Sequence, residues 1–231
     1  QNENAIIVGK NQNTLSEINY DYVKNNNIKV VRRQSGGGAV FHDLGNINFT
    51  FISYNDNSFS DFKKFTMPIV AALKELNINA EFSGRNDLLI DNQKFSGNAQ
   101  YNYKNNVMHH GTLLFSSKIN DLSAALKVKP SKFEGKGVKS VKSRVTNISN
   151  HLGKEMSVVE FKDYLLNFIN KRDENSHFYE LTQEDIENIN KLVKEKYETW
   201  EWNFGNSPKY SLNNELKYPG GNVEFSLNVV D

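Results

Sequence analysis

Apolar residues along this chain fall into short runs and alternations that mark brief strands and a few amphipathic helices. Residues 5–8 are continuously apolar and end at Gly9, which predicts a first strand. A helix is expected over 17–24 and a second strand over 28–32. Residues 39–41 and 47–52 are predicted to be strands lying next to each other, the second alternating Ile47, Phe49 and Phe51 against Asn48, Thr50 and Ile52. From 60 to 76, Phe62, Phe65, Ile69, Leu73 and Leu76 share one helical face, and Pro68 implies a kink or a helix that starts there. Residues 88–90, 95–101 and 107–115 read as a three-strand meander, with turns at 91–92 and 104–106. A short helix is expected over 119–126. Met156, Ser157, Glu160 and Phe161 have the spacing of a helix start, a Ser/Glu capping box with an apolar staple around it. A further helix opens at 182–185 and runs to about 197, and residues 219–222 join two final strands. The order is α+β, a mixed or antiparallel β-sheet with packed helices.

Composition narrows the function classes. A length of 231 residues suffices for one substantial core, or for a main domain with a small appendage. The net charge of +1 argues against a surface built for nucleic acid, which carries a clear basic excess. No apolar run is long enough to cross a bilayer, and no signal peptide is visible, so no membrane partner is expected. Cysteine is absent, which removes disulfides, thiolate metal sites and thiol catalysis together and fits a reducing cytoplasm. The sequence begins at Gln1 and enters an apolar run almost at once, so its natural N-terminus is expected to lie upstream.

Four constellations could carry chemistry. The first is Arg32-Arg33-Gln34-Ser35-Gly36-Gly37-Gly38-Ala39-Val40-Phe41-His42-Asp43-Leu44-Gly45-Asn46. Its glycines let the main chain turn sharply and aim N–H groups at an anion, and Arg33 could clamp a phosphate or carboxylate. Three glycines alone would equally suit a flexible connection between strands; the flanking Arg and His-Asp-x-Gly-Asn favour a site. The common nucleotide loops are missing, and the stretch 135–140 has the wrong spacing for one. The second constellation is Gly84-Arg85-Asn86-Asp87 with Lys94-Phe95-Ser96-Gly97-Asn98-Ala99. In the meander, Asp87 and Lys94 lie close across a hairpin, and a lysine there can hold a carboxylate beside an α-phosphate. A plain surface lysine is the competing reading. The third is His109-His110: adjacent strand residues point to opposite faces, so only one can enter a given pocket, and the competing reading of such a histidine is a plain hydrogen-bonded pocket or core residue. Neither has companions spaced for a metal site, so no metal ligands are assigned. A hydrolase built from Ser35, His42 and Asp87 would lack the usual Gly-x-Ser-x-Gly turn. The fourth is the basic stretch 127–144, which reads as a solvated loop or, with Gly135 and Gly137, a lid over a polyphosphate at 128–142.

Taken together and in order, residues 32–46, 84–88, 94–99, 109–114 and 140–147, with Trp200-Glu201-Trp202-Asn203-Phe204-Gly205, resemble the lipoate–protein ligase family. The resemblance covers nearly the whole chain and implies a biotin/lipoate ligase-like catalytic domain over 1–231. A segment usual before the first strand, and an accessory domain common after the last, are expected to be absent from it. It implies that ATP, with Mg2+, activates lipoate as lipoyl-AMP, and that the lipoyl group passes to a lysine of a lipoyl-domain protein. Acceptors of that kind are 2-oxoacid dehydrogenase acyltransferase subunits and glycine-cleavage H protein, and octanoate is a second acid of suitable shape. Arg33, Gly38, Ala39, Val40, Phe41 and Lys94 then match ATP-binding positions, and Ser35, Gly36 and Gly37 run along the lipoyl chain. His42, Asn46, Asn86, Asp87 and His110 match other substrate-pocket positions, and Lys94 is the catalytic residue. Biotin–protein ligases are disfavoured because their Gly-Arg-Gly-Arg-x-Gly run is missing. The alternatives are a lipoate-binding protein without transfer activity, or a transferase that takes octanoyl or lipoyl groups from a carrier.

Overall fold

The computed structural model describes residues 1–54, 58–84, 86–119, 124–126, 133–135, 145–172, 174–208 and 210–229. The chain divides into two compact units, one of residues 1–3, 42–119 and 142–186, the other of residues 4–41, 120–141 and 187–231. Among the described residues, no helix is long and apolar enough to cross a membrane.

The first unit is built on a five-stranded sheet of β4 (Asn46–Ser53), β5 (Ala80–Ser83), β6 (Asp87–Ile90), β7 (Gln93–Tyr103) and β8 (Asn106–Leu114), in the order β4-β8-β7-β6-β5. All its pairings are antiparallel. The expected meander is present because its turns are locally encoded: Asp91, Asn92 and Lys104 take φ of 50°, 60° and 56°. Asp and Asn tolerate that left-handed region better than other non-glycine residues. Helix α3 (Phe62–Glu75) starts at an Asp61 side chain that accepts from Lys64 N, not at Pro68, which lies inside it. Helix α4 (Val158–Asn170) has the capping box read from sequence, with Glu160 N donating to Ser157 Oγ at 3.2 Å and Ser157 N to Glu160 Oε2 at 2.7 Å. The core joins Leu73, Leu88, Phe95, Leu113 and Ile148 to Phe115 stacked on Phe161, ring centroids 4.7 Å apart.

His109 is a polar member of this interior. It is fully buried and stacked on Phe65 at 4.9 Å. Its Nε2 lies 3.3 Å from Asn98 Oδ1 and its Nδ1 3.2 Å from Gln100 Nε2, while Gln100 Oε1 accepts from Ser60 N at 2.6 Å. That arrangement fixes the neutral tautomer with the proton on Nε2, because Nδ1 faces a donor. Burial, then repulsion from His110, pushes the imidazole down to about 4. A histidine whose folded value is depressed leaves the unfolded state binding more protons between about pH 4 and 6.5. His109 therefore contributes fully above about pH 6.5, and up to about 3 kcal/mol is lost as pH falls toward 4. An NMR titration should find this ring neutral at pH 5.5; a midpoint near 6.5 would contradict the account.

The second unit holds β1 (Ala5–Val8), β2 (Lys29–Arg32) and β3 (Val40–His42) in the order β2-β1-β3, with β1 and β2 parallel. A separate antiparallel sheet of β9 (Phe133–Gly135), β10 (Tyr210–Tyr218) and β11 (Gly221–Val229) includes the two final strands foreseen. The helix expected over 17–24 is two helices, α1 (Thr14–Glu17) and α2 (Tyr20–Asn25). Asn13 and Asn19 each accept from a main-chain N–H two or three residues on, so each begins its own helix. Helix α5 (Gln183–Leu192) continues into a π-helical turn at Val193–Tyr197, matching the expected helix to about 197. Strands β3 and β4 are not neighbours, contrary to the sequence reading, because they belong to different sheets. Asp43 gives the reason: one carboxylate oxygen accepts from Gly45 N at 2.9 Å and the other from Lys118 N at 2.7 Å. This turn delivers β4 to β8, whose last residues lie beside it.

Candidate active site

Lys94 stands near the start of β7, where the ladder with β6 shifts register between Leu88 and Leu89. Lys94 is opposite Leu89 and Ser96 opposite Leu88, so Phe95 is the extra residue of a bulge. Phe95 and Ser96 are both buried, and Lys94 and Gly97 consequently share the other face although they are three residues apart. The Lys94 ammonium meets Asp87 Oδ1 at 2.8 Å, with both side chains about one-third exposed, as the hairpin reading expected. Gly97 makes room for it, because a Cβ there would lie 3.0 Å from Lys94 Cε and 3.1 Å from Nζ. Those atoms end a flexible side chain, so Gly97→Ala should displace the ammonium by tenths of an ångström and barely affect folding. The expected outcome is about a tenfold fall in turnover with an almost unchanged melting temperature. Unchanged turnover would show that this position is not demanding.

Asn86 is locked to the same strand. Its Nδ2 donates to Asn98 O at 2.6 Å, while Asn98 returns its main-chain N–H and its side-chain amide to Asn86 O, at 3.1 and 3.0 Å. Asn86, Asp87 and Lys94 are thus brought together, and the residue between Gly84 and Asn86 is outside the described set. His110 lies half-buried on the face of β8 opposite the core, as the two-faced reading required, and pairs in register with Ala99 and Thr50. His42 and Asn46 are buried beside the Asp43 turn; His42 Nδ1 is 3.0 Å from Asn2 Nδ2, and Asn46 Nδ2 is 2.7 Å from Asn48 Oδ1. The basic stretch 127–144 lies outside the described residues except for Phe133–Gly135, which form β9.

In the second unit, the glycine loop is braced by Arg33. Its Nε donates to Ser35 Oγ at 3.1 Å, Nη1 to Ile7 O at 3.0 Å, and Nη2 to Gly36 O at 2.6 Å and Gly38 O at 2.8 Å. These bonds use four of the five guanidinium hydrogens, so Arg33 shapes the loop more than it offers a free fork to a ligand. Burial lowers its pKa to about 10, which still leaves it charged at neutral pH. Gly37 has φ of 93°, and Gly9 is required beneath it because a Cβ at Gly9 would collide with the Gly37 carbonyl oxygen. Ala39 and Phe41 direct their side chains into the core around Ile6 and Val8. A contribution from those two to a nucleotide can come only from main chain. Ser35, receiving a hydrogen from a guanidinium, and Asp87, paired with a lysine, are both in the wrong company for a hydrolytic triad.

Sequence reasoning passed over Arg32. Its side chain is almost wholly buried and donates to the carbonyls of Gly9, Lys10, Gln12, Trp202 and Asn203 and to the hydroxyls of Thr14 and Ser207. Trp202 Nε1 donates back to Arg32 O at 2.8 Å, and Asn203 Oδ1 accepts from Arg32 N at 2.8 Å. The π-helical turn Glu201–Gly205 is therefore the receptor for this arginine, which explains the Trp-Glu-Trp-Asn-Phe-Gly run physically. The available signal was alternation: adjacent arginines on a strand face opposite ways, so one of them had to turn inward.

The first unit thus holds a lysine against a carboxylate, and the second a glycine loop braced by a half-buried arginine, in a chain of α+β class. The family described as the lipoyl protein ligase A/B catalytic domain matches residues 1–170, and the chain belongs to this lipoate–protein ligase family. Lipoate-protein ligase LplJ of Bacillus subtilis (strain 168) is 51% identical over 231 residues, covering 99% of this chain and 70% of that protein. The structure of a bi-partite lipoate protein ligase, from an archaeal lipoylation system of Thermoplasma acidophilum that includes its E2 lipoyl domain, is similar at a TM-score of 0.74 and 28% identity, covering 89% of this chain and 82% of that one. The crystal structure of lipoate-protein ligase A bound with ATP gives 0.72 and 27%, covering 88% and 83%.

Proposed function

We propose that this chain activates lipoate with ATP and transfers the lipoyl group to a lysine of lipoyl-domain proteins. The observation that carries the reading is Lys94, fixed by Asp87 at 2.8 Å over the gap left by Gly97. A lipoate carboxylate oxygen attacks the α-phosphorus of ATP, the P–O bond to pyrophosphate breaks, and charge grows on the phosphoryl oxygens. A lysine placed in advance stabilises that charge without reorganising. In this reading Lys94 serves that role, with Asn86 and Asp87 holding it. The main chain at Ser35–Gly38 lies along the acyl chain and nucleotide, and His42, Asn46 and His110 line the acid's pocket. In the second step the neutral amine of the acceptor lysine attacks the acyl carbon, AMP leaves with the electron pair, and the surplus proton passes to water.

Support for the substrates comes from relatives: one similar structure is of a ligase bound with ATP, another is of a ligase studied with its E2 lipoyl domain. Among the described residues there is no group of three or more His, Asp or Glu side chains able to hold a metal. The Mg2+ of this reading would be held mainly through triphosphate oxygens and water, where it would neutralise charge on the leaving pyrophosphate. Residues 1–231 make up the catalytic region, octanoate is an acceptable second acid, and the acceptors are acyltransferase subunits of 2-oxoacid dehydrogenases or glycine-cleavage H protein in the cytoplasm. The test is ATP–pyrophosphate exchange with and without lipoate. Exchange that depends on lipoate supports the reading, and none at saturating ATP and lipoate overturns it.

A further inference from the structure

Segment 145–151 belongs to a stretch whose first residues matched the family, yet no step above uses it. It begins against Lys94: Val145 bridges Lys94 in parallel, and Thr146 N donates to Lys94 O at 3.0 Å. Thr146 is buried, and its Oγ1 lies 3.0 Å from Nε2 of His151, itself largely covered. The other ring nitrogen, Nδ1, faces Asp91 Oδ2 at 3.5 Å. Asp91 is in the turn between β6 and β7, three residues before Lys94. The contacts therefore close a ring: from Lys94 carbonyl to Thr146, from Thr146 to His151, from His151 to Asp91, and along the hairpin back to Lys94. The ring is held from behind. Asn147 exchanges two hydrogen bonds with the main chain of Ser117, at 3.0 and 2.9 Å, Ser149 N donates to Phe115 O at 3.0 Å, and Ile148 is fully buried in the core.

Carboxylate, imidazole and hydroxyl in this order resemble a hydrolytic relay. Thr146 retains only 5% of its surface exposed, too little to admit an acyl group, so the order serves something else. We propose that His151 is a positioning residue for adenylation: by joining Thr146 to Asp91 it fixes the main chain from which the Lys94 ammonium reaches its working place. Gly97 gives the side chain its room, and the His151 ring sets where that side chain begins. The inference rests on the adenylation reading above.

The experiment measures lipoate-dependent ATP–pyrophosphate exchange for the wild type and for His151→Ala, His151→Gln, Thr146→Val and Asp91→Gly, each normalised to folded protein by near-UV circular dichroism. Glycine at 91 removes the carboxylate and accepts the φ of 50° found there, so that variant tests the ring even if an interior change impairs folding. For His151→Ala, kcat should fall about tenfold while KM for ATP shifts less than about twofold, since a small misplacement acts on the transition state. Thr146→Val should match it, the double variant should lose no more than either single one, and Asp91→Gly should lose about threefold. His151→Gln, whose amide can still reach Thr146 Oγ1, should recover most of the rate. Wild-type kcat per folded molecule in His151→Ala or Asp91→Gly, or no recovery with glutamine, overturns the proposal while wild-type exchange stands. Absence of exchange in the wild type overturns the adenylation reading on which the proposal rests.

Discussion

Lys94→Ala is expected to lower lipoate adenylation by about 10²–10³ and leave the fold intact. The two effects separate because of where the side chain is. Its pair with Asp87 is about one-third exposed, and ion pairs of that kind contribute roughly 0–1 kcal/mol to stability. In the proposed reaction the same ammonium would face charge that develops only at the phosphoryl oxygens, where one preorganised donor is worth about 3–4 kcal/mol. Lys94→Arg should rescue little, because Lys94 already lies close over Gly97 and a planar guanidinium is larger than an ammonium. Single-turnover formation of lipoyl-AMP, with thermal unfolding of the same samples, checks both halves. A mutant that adenylates at near wild-type rate would remove Lys94 from the site.

Arg32→Met should have the opposite signature, with stability lost first. Removing the guanidinium takes a donor from five main-chain carbonyls in a largely buried place, of which Gly9 O and Asn203 O keep a second donor in Gln12 N and Thr14 Oγ1, and the loss of such a buried charged network costs about 4 kcal/mol. A loss of roughly 10 °C or more in melting temperature is expected for a chain of this length. Arg32→Lys should recover little of it, since an ammonium has three hydrogens and cannot satisfy partners on both sides of the fork. Because the carbonyls of Gly9 and Lys10 belong to the stretch that supports Gly37 and Ser35, surviving activity should fall with the unfolding transition, not ahead of it. A variant with wild-type melting would show that Arg32 is dispensable.

The comparison of these two residues shows what the sequence makes legible. Lys94, Asp87 and their hairpin were readable because the information is local: alternation, an Asp-Asn turn, and a partner seven residues away. The capping box of α4 was legible for the same reason. Arg32 was harder to read, since alternation with Arg33 says only that one of the two turns inward, while its receptor at 202–207 lies some 170 residues on. Strand β5 was missed because Ala80-Glu81-Phe82-Ser83 is short and becomes a strand only by pairing with β6 at the sheet edge. The split of α1 from α2 depended on reading Asn13 and Asn19 as two caps, where periodicity alone suggested one helix. The false pairing of β3 with β4 came from closeness in sequence, which the Asp43 turn overrides. Arg33 was assigned to ligand from its position beside the glycines, while the geometry commits most of its hydrogens to the loop itself.

The central claim is that a free acid is activated by ATP and passes to its acceptor without an acyl-enzyme. The chain has no cysteine to carry a thioester, and Thr146, whose hydroxyl lies beside the His151 imidazole, is buried. The direct measurement is the intact mass of an acceptor lipoyl domain and of this chain after two incubations, one with lipoate, ATP and Mg2+, the other with a lipoyl or octanoyl carrier thioester and no ATP. The account predicts full acceptor modification in the first, none in the second, and no acyl group on the chain in either. Acceptor modification from the thioester without ATP, or an acyl group fixed to the chain, would contradict it and make the protein a transferase.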